Sequence, residues 1–472
     1  MDKIEFCRFE NEEHLFDRTY NGVPYWQMLR FIVCEGTASD RIEKSDLIHQ
    51  QKRSKRRLWF VFKVFLLACK SRWNFYKLPV CDVVCFSHTT KTNKEARFFD
   101  YWEMPEGITS FSLKETPNPD DLSWKETHTL MPPYGKAQAI YYVEKLLKKV
   151  PKDKSEAAFL KELEGKLRKQ FGRSISAERM EREIQHWIPM DKAFEKYAEH
   201  FFDKVKCKAI MVVCYYQPQM YAFYRVAKRR GIKIIEFQHG VINNHEEYWF
   251  EDQRGVNNNT PDYFLAFGQQ HIEWTKLLPT TKAIPVGFPY QEVQIKKQAN
   301  VLTEEKTVII YPESRPEFEN LLNEFSNMAA AEGYRILMKL HPLQATDPKL
   351  YYPLLSQNPY IEVVTRQDKG IYYWLKLGKH HVMASTTVGL EAVAMPHTNI
   401  CIAENVPHEQ TQPLLDWGVA RGFSTAAQLM ELVRHPLQSE NGVLEEKRKA
   451  LWQPNAEQNI QDFFRDIMSL HL

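Results

Sequence analysis

Four short stretches carry side chains able to do chemistry: "FQHG" (237–240), "YPESRP" (311–316), "MKLHPLQ" (338–344) and "ASTTVGLEAVA" (384–394). In the last, Ser385, Thr386 and Thr387 stand at an expected helix start. Free backbone N–H groups and the positive end of the dipole favour phosphate there. Glu391, about one turn further on, is an acceptor suited to the two hydroxyls of a ribose. Lys339 and His341 alternate with apolar neighbours along an expected strand and supply donors to the same phosphate. Glu313, Ser314 and Arg315 add a third cluster on the donor side. Together these residues describe a nucleotide site that needs no metal, because side chains and the helix end can neutralise a leaving phosphate. "FQHG" is of another kind. His239 has an unperturbed pKa near working pH and suits a general base. Gln238 and Gly240 flank it on the acceptor side, and Gly240 lets the backbone approach a ligand closely. Glu246 is a second candidate base, with Glu236 and Glu247 in reserve. His245 and Glu246 belong to the lip "INNHEEYW" that follows. Each cluster alone has an ordinary reading: an N-cap, a turn boundary, a satisfied helix glutamate, a strand-end histidine bonded to backbone. Their succession at strand end after strand end gives them weight.

The elements that must hold these residues read as an alternation of strand and helix. "CDVVCFSH", "CKAIMVVCYY", "IKIIEFQHG", "DYFLAFG" and "KAIPVGFP" predict strands of one series. Charged helical spacing between residues 136 and 205 predicts two or three long helices. Residues 291–305 are polar and predict a linker. A second series follows in "KTVIIYPES", "YRILMKLHP", "IEVVT", "HHVMAS" and "TNICIA", and the chain is helical from about Ala426. The expected fold is α/β: two Rossmann-like domains facing a cleft, with extra N-terminal and C-terminal helices. The expected division is 1–290 for the acceptor side, 291–425 for the nucleotide donor, and 426–472 for helices packing back on the first domain.

Composition narrows the classes. The chain has 472 residues, 43% hydrophobic and 26% charged, with a net charge of +3. This is globular, too long for one ordinary core, and not basic enough to expect nucleic acid. Eight cysteines without a CxxC pair fit a reducing cytoplasm. The acidic N-terminus lacks the apolar run of a secretory signal. G-x-G-x-x-G, Walker A, H-E-x-x-H and D-x-D are all absent, so neither a cofactor nor a metal is expected. His380 and His381 would point to opposite faces of a strand. Residues 51–80 hold Lys and Arg but no acid. They predict either a core helix or a foot that sets basic residues and Trp59, Phe60, Phe62, Phe65 and Trp73 on an anionic membrane.

The ordered set "QHG", "VGFP", "KLHP" and "STTVGLEA" resembles the motif series of bacterial GT-B glycosyltransferases that build surface polymers, over roughly residues 208–420. The nearest in pattern are CDP-glycerol glycerophosphotransferases and capsule transferases using CMP-linked Kdo or sialic acid. The acidic-acidic-glycine motif of several sialyl and Kdo enzymes is absent. The resemblance implies transfer of a sugar or polyol phosphate from a nucleotide donor to a growing capsule, lipopolysaccharide or teichoic-type polymer. It favours CMP- or CDP-linked donors, with UDP and GDP open, and a glycan or lipid-linked acceptor. It implies a cytoplasmic protein, peripheral on the inner face of the membrane if the basic segment is a foot. Two alternatives stand beside it: a sugar-nucleotide epimerase of the same architecture, and a non-catalytic assembly subunit.

Overall fold

The computed structural model describes residues 2–34, 78–87, 98–114, 152–240, 242, 248–250, 259–341, 344, 347–365, 369–408, 410–437 and 442–469. His245, Glu246, Glu247 and all but the last three residues of the basic segment fall outside the described residues. No helix among the described residues is long and apolar enough to cross a membrane.

A small hairpin of β1 (Thr19–Tyr20) and β2 (Val23–Pro24) precedes two six-stranded sheets. The first sheet is built from β3 (Val83–Ser87), β4 (Ser110–Lys114), β5 (Ala209–Val213), β6 (Lys233–Phe237), β7 (Tyr263–Ala266) and β8 (Lys282–Pro285), in the order β4-β3-β5-β6-β7-β8. The second holds β9 (Glu304–Ile310), β10 (Arg335–Lys339), β11 (Ile361–Val364), β12 (Gly378–Met383), β13 (Asn399–Ala403) and β14 (Arg421–Phe423), in the order β11-β10-β9-β12-β13-β14. Every pairing in both sheets is parallel. Parallel strands are covered on both faces, which is why "AIMVV" and "NICIA" are buried throughout. This is the α/β, two-Rossmann architecture of the GT-B class that the alternation predicted.

Numbered from β9, the second sheet has the strand order of a dinucleotide-binding Rossmann sheet, which reverses between its first and fourth strands. The first sheet reverses between β3 and β5 in the flavodoxin manner. Helices Ala177–Val205 and Tyr221–Arg229 cover one face of the first sheet. Its other face is covered by Ala456–Ser469, whose Ile460, Phe463, Phe464 and Ile467 share a core with Val83, Met211 and Ile235. The C-terminal helix therefore completes the core of the first sheet.

The expected linker at 291–305 is largely regular structure. Pro289–Lys297 forms a helix and Glu304 already begins β9. Pro289 sits in the first helical turn, where its missing N–H costs nothing. Tyr290, Ile295 and Val301 supply the apolar contacts of this stretch, so its helical pattern is faint in the sequence.

Trp452 ties the crossing chain to both halves. Its indole N–H donates to Leu390 O at 2.9 Å, and its ring stacks on Phe267 with centroids 5.0 Å apart. Gln453 N donates to Phe267 O at 2.8 Å. A Cβ at Gly268 would lie 2.3 Å from Ala450 O, and one at Gly287 2.2 Å from Gln453 O. Both glycines are thus required by the close passage of this strand of chain.

Candidate functional site

The second sheet's reversal lies between β9 and β12, where open α/β sheets leave a crevice at the strand ends. After β9 the chain continues through Tyr311 and Pro312 into Glu313, Ser314 and Arg315. After β12 it continues into Ser385, Thr386 and Thr387. The two exits meet: Ser385 N donates to a Glu313 carboxylate oxygen. Glu313 thus occupies a backbone donor that phosphate was expected to use, and its charge repels phosphate from that point. Glu313 is suited to hydroxyls instead. Arg315 lies 3.6 Å from Glu313 in an ion pair, and Ser314 Oγ donates to Tyr351 O at 3.2 Å. With Pro312 and Gln344 these three line a cavity of about 410 Å³.

The helix after Ser385-Thr386-Thr387 spans only Val388–Val393, and Thr387 makes no side-chain cap bond. A helix this short adds little dipole, so side chains rather than a helix end must supply the polarity here. Thr386 Oγ1 accepts from Val388 N at 3.4 Å, which makes Thr386 part of the turn itself. Glu391 is half-buried beneath, beside Tyr311. Burial first, and Glu391 second, push the Tyr311 phenol well above its ordinary range. Tyr311 keeps its proton and meets His381 Nδ1 at 3.1 Å.

One strand outward, β10 ends at Lys339, only 8% exposed, with Nζ donating to Leu340 O at 2.9 Å. Burial lowers its pKa. An anion arriving at this strand end would favour the charged form again. His341, two residues on, is exposed.

The carboxyl edge of the first sheet is differently used. Gln238 is fully buried: Oε1 accepts from Phe267 N at 2.8 Å, and Nε2 donates to Gly240 O at 2.8 Å and faces His271 Nδ1 at 2.9 Å. Its amide is spent on holding the strand end in shape, so Gln238 is a cross-link and not a ligand. His271 must then carry its proton on Nε2, and burial drives its pKa down to about 3. Glu236 is also buried, accepting from Tyr248 Oη at 2.6 Å and Tyr215 N at 3.2 Å. It lies within the sheet, below the edge where a base must act. His239 is half-buried, with Nε2 3.0 Å from Tyr216 Oη. Tyr216 reaches it because Cys214, at φ 62°, turns the chain sharply after β5. Among the described residues, a Cβ on Gly240 would meet nothing within 4 Å.

A second cavity, of about 760 Å³, is lined from both halves of the chain. Trp249, Glu273 and Trp274 come from the first; Glu404, His408, Gln412 and Asp416 follow β13 in the second. It adjoins the switch point: Thr411 Oγ1 donates to Ala384 O at 2.5 Å, and Gln410 N to Ser385 Oγ at 3.5 Å. The N-terminal helices Lys3–Glu12 and Trp26–Cys34 position its tryptophan wall. The buried pair Glu10–Arg30, at 2.7 Å, aims Arg30 Nη2 at Trp249 O, 2.5 Å away. Of these lining residues, Trp249 ends the lip "INNHEEYW" and His408 and Gln412 lie in "HEQTQ"; none was assigned a role from the sequence. "HEQTQ" draws attention only as an incomplete zinc motif, although it follows the next strand end of the same series. Among the described residues no group of three or more His, Cys, Asp or Glu is placed to hold a metal ion.

No protein-family model matches the sequence, and no curated protein matches it. Solved structures similar to it include a UDP-GlcNAc 2-epimerase from Methanocaldococcus jannaschii in complex with UDP-GlcNAc and UDP, at 11% identity over 82% of this chain and 99% of that one, TM-score 0.44. A putative UDP-N-acetylglucosamine 2-epimerase from Listeria monocytogenes is similar at 10% identity over 83% and 97%, TM-score 0.48. MurG from Acinetobacter baumannii is similar at 13% identity over 62% and 80%, TM-score 0.37.

Proposed function

We propose that the protein is a nucleotide-sugar-dependent glycosyltransferase acting between the carboxyl edges of its two sheets. The supporting observation is the meeting of Glu313 with Ser385 at the reversal of the second sheet, with a cavity shared by both halves opening beside it. In this reading the phosphates lie by Lys339, His341 and Arg315, with the Thr386 hydroxyl as a further donor, clear of the Ser385 N–H that Glu313 occupies. Glu313 and Glu391 receive ribose hydroxyls, and the sugar projects into the larger cavity. The acceptor hydroxyl comes from the side of the first sheet. His239 removes its proton as the oxygen attacks the anomeric carbon, and the bond from that carbon to the phosphate oxygen breaks. Tyr216 orients His239 until the acceptor hydroxyl takes its place on Nε2. Glu246 is the alternative base. The resemblance in "KLHP" and "STTVGLEA" supports a cytidine-linked donor and a bacterial surface polymer as acceptor.

The test is nucleotide release from CMP-, CDP-, UDP- and GDP-linked sugars, with and without a glycan acceptor. A transferase releases nucleotide in step with acceptor. His239→Ala should lower transfer by roughly a hundredfold or more while ligand-induced thermal stabilisation persists. Near-normal turnover in that variant removes His239 as base. The second reading, an epimerase acting on free nucleotide sugar, draws support from the acid-base groups Glu404, His408 and Asp416 around the cavity. It is distinguished by isomerisation of the sugar without any acceptor.

A further inference from the structure

We infer that the larger cavity is a saccharide subsite that selects an uncharged or amine-bearing sugar and rejects an acidic one. The inference rests on the nucleotide-sugar reading above and names the class of sugar, setting this chain apart from the Kdo and sialic acid transferases it resembles, whose sugars are acidic. Two indoles, Trp249 and Trp274, line the cavity together with the carboxylates of Glu273, Glu404 and Asp416 and the amide of Gln412. Indole faces suit the C–H faces of a pyranose ring, and carboxylates and amides suit its hydroxyls. Phosphate has no comparable partner here. The described lining carries Glu273, Glu404 and Asp416 against the single ammonium of Lys3, which lies 4.8 Å over the Trp249 ring.

The carboxylates are held in place. Gly422 leaves the room that the Glu404 carboxylate fills, since a Cβ there would lie 2.2 Å from Glu404 Oε2. Asp416 accepts from Gln412 Nε2 at 2.7 Å, which turns Gln412 Oε1 towards His408 Nε2, also at 2.7 Å. His408 Nδ1 faces Val406 O at 2.7 Å. This chain of side chains belongs to the loop anchored on Ala384 and Ser385, beside the strand end where the reading above places the donor. A carboxylate on that sugar would face charges of its own sign at short range. Glu273, Glu404 and Asp416 are exposed, so the repulsion should fall as salt rises. The same charge orients the donor, with phosphate towards Lys339 and His341 and sugar towards Glu404.

Calorimetry on the whole chain tests this. The nucleotide that binds is first identified among CMP, CDP, UDP and GDP. It is then compared carrying a neutral hexose, an N-acetylhexosamine and an acidic sugar. The neutral sugars should bind about tenfold more tightly than the acidic one, or better. Glu404→Gln with Asp416→Asn should bring the two towards parity and leave the bare nucleotide unchanged. Gly422→Ala, which keeps both charges but displaces Glu404, should narrow the gap by a smaller factor. Equal or tighter binding of the acidic sugar by the unaltered protein overturns the inference, as does an undiminished gap in the double variant. Nucleotide binding without discrimination overturns this inference alone; no nucleotide binding at all overturns it together with the reading of the donor site.

Discussion

At the carboxyl edge of the first sheet the polar groups turn inward. Gln238 bonds Phe267, Gly240 and His271, and Glu236 bonds Tyr215 and Tyr248. At the edge of the second sheet Ser314, His341 and Thr387 are exposed and Ser385 and Thr386 are half-buried. Polar residues at strand ends therefore do two jobs in one molecule. In the first sheet they satisfy backbone groups that a sharp exit from the strand leaves without ladder partners, which a buried site demands. In the second the exits bond one another through Glu313 and Ser385, and Ser314, His341 and Thr387 beside them face solvent. Residue type alone does not separate the two jobs.

Substitutions that should move only one of these edges can break the comparison. The largest effect is expected from Gln238→Leu. It leaves the Phe267 N–H and the Gly240 carbonyl without their buried partner and should cost about 2–4 kcal/mol in denaturant unfolding. A loss under about 0.5 kcal/mol would move Gln238 to the ligand-binding group. Next is acid lability, shared by both edges. Burial depresses His271 and His381 to about 3, from an ordinary 6.5. The unfolded chain takes up protons below 6.5 that the folded chain refuses until about 3. Stability is therefore complete above that upper value and falls as pH drops through the window. Each histidine should cost roughly 2 kcal/mol by about pH 5. Unfolding curves that do not change between about pH 7 and 5 would show that the two rings are not buried neutral. The smallest effect on stability is expected from Lys339→Met, within about 1 kcal/mol, because removing a desolvated ammonium offsets its lost bond to Leu340. The same variant should weaken nucleotide binding about tenfold. Marked unfolding instead would class Lys339 with Gln238 as a structural residue.

Much of the fold was legible because parallel strands covered on both faces must be runs of apolar residues. "AIMVV" is such a run and "NICIA" nearly one, "KIIEF" and "RILMK" keep an apolar centre, and each is a strand. The helix Pro289–Lys297 was not legible, since two or three apolar contacts suffice to seat it and leave no clear period. The expected phosphate helix proved too short to carry a dipole. "STTVGLEAVAM" has helical spacing, but the turn over Ser385 and Thr386 consumes its first residues. The cavity was invisible for another reason: its walls come from residues 249, 274, 404 and 416, and only folding brings them together.

The sequence by itself determined that there are two βαβ series and which strand ends carry polar residues, because both follow from local hydrophobic pattern and chain order. Tertiary structure decided which of those residues are spent on the protein's own backbone and which are left at the surface. That choice depends on strand order across the sheet: β12 lies beside β9, so Ser385 finds Glu313 from 72 positions away. It depends equally on the return of the C-terminal chain, whose Trp452 joins the two halves around the cavity. Hydrogen bonds and burial are set by neighbours in space, and a chain of residues names those neighbours only once it is folded.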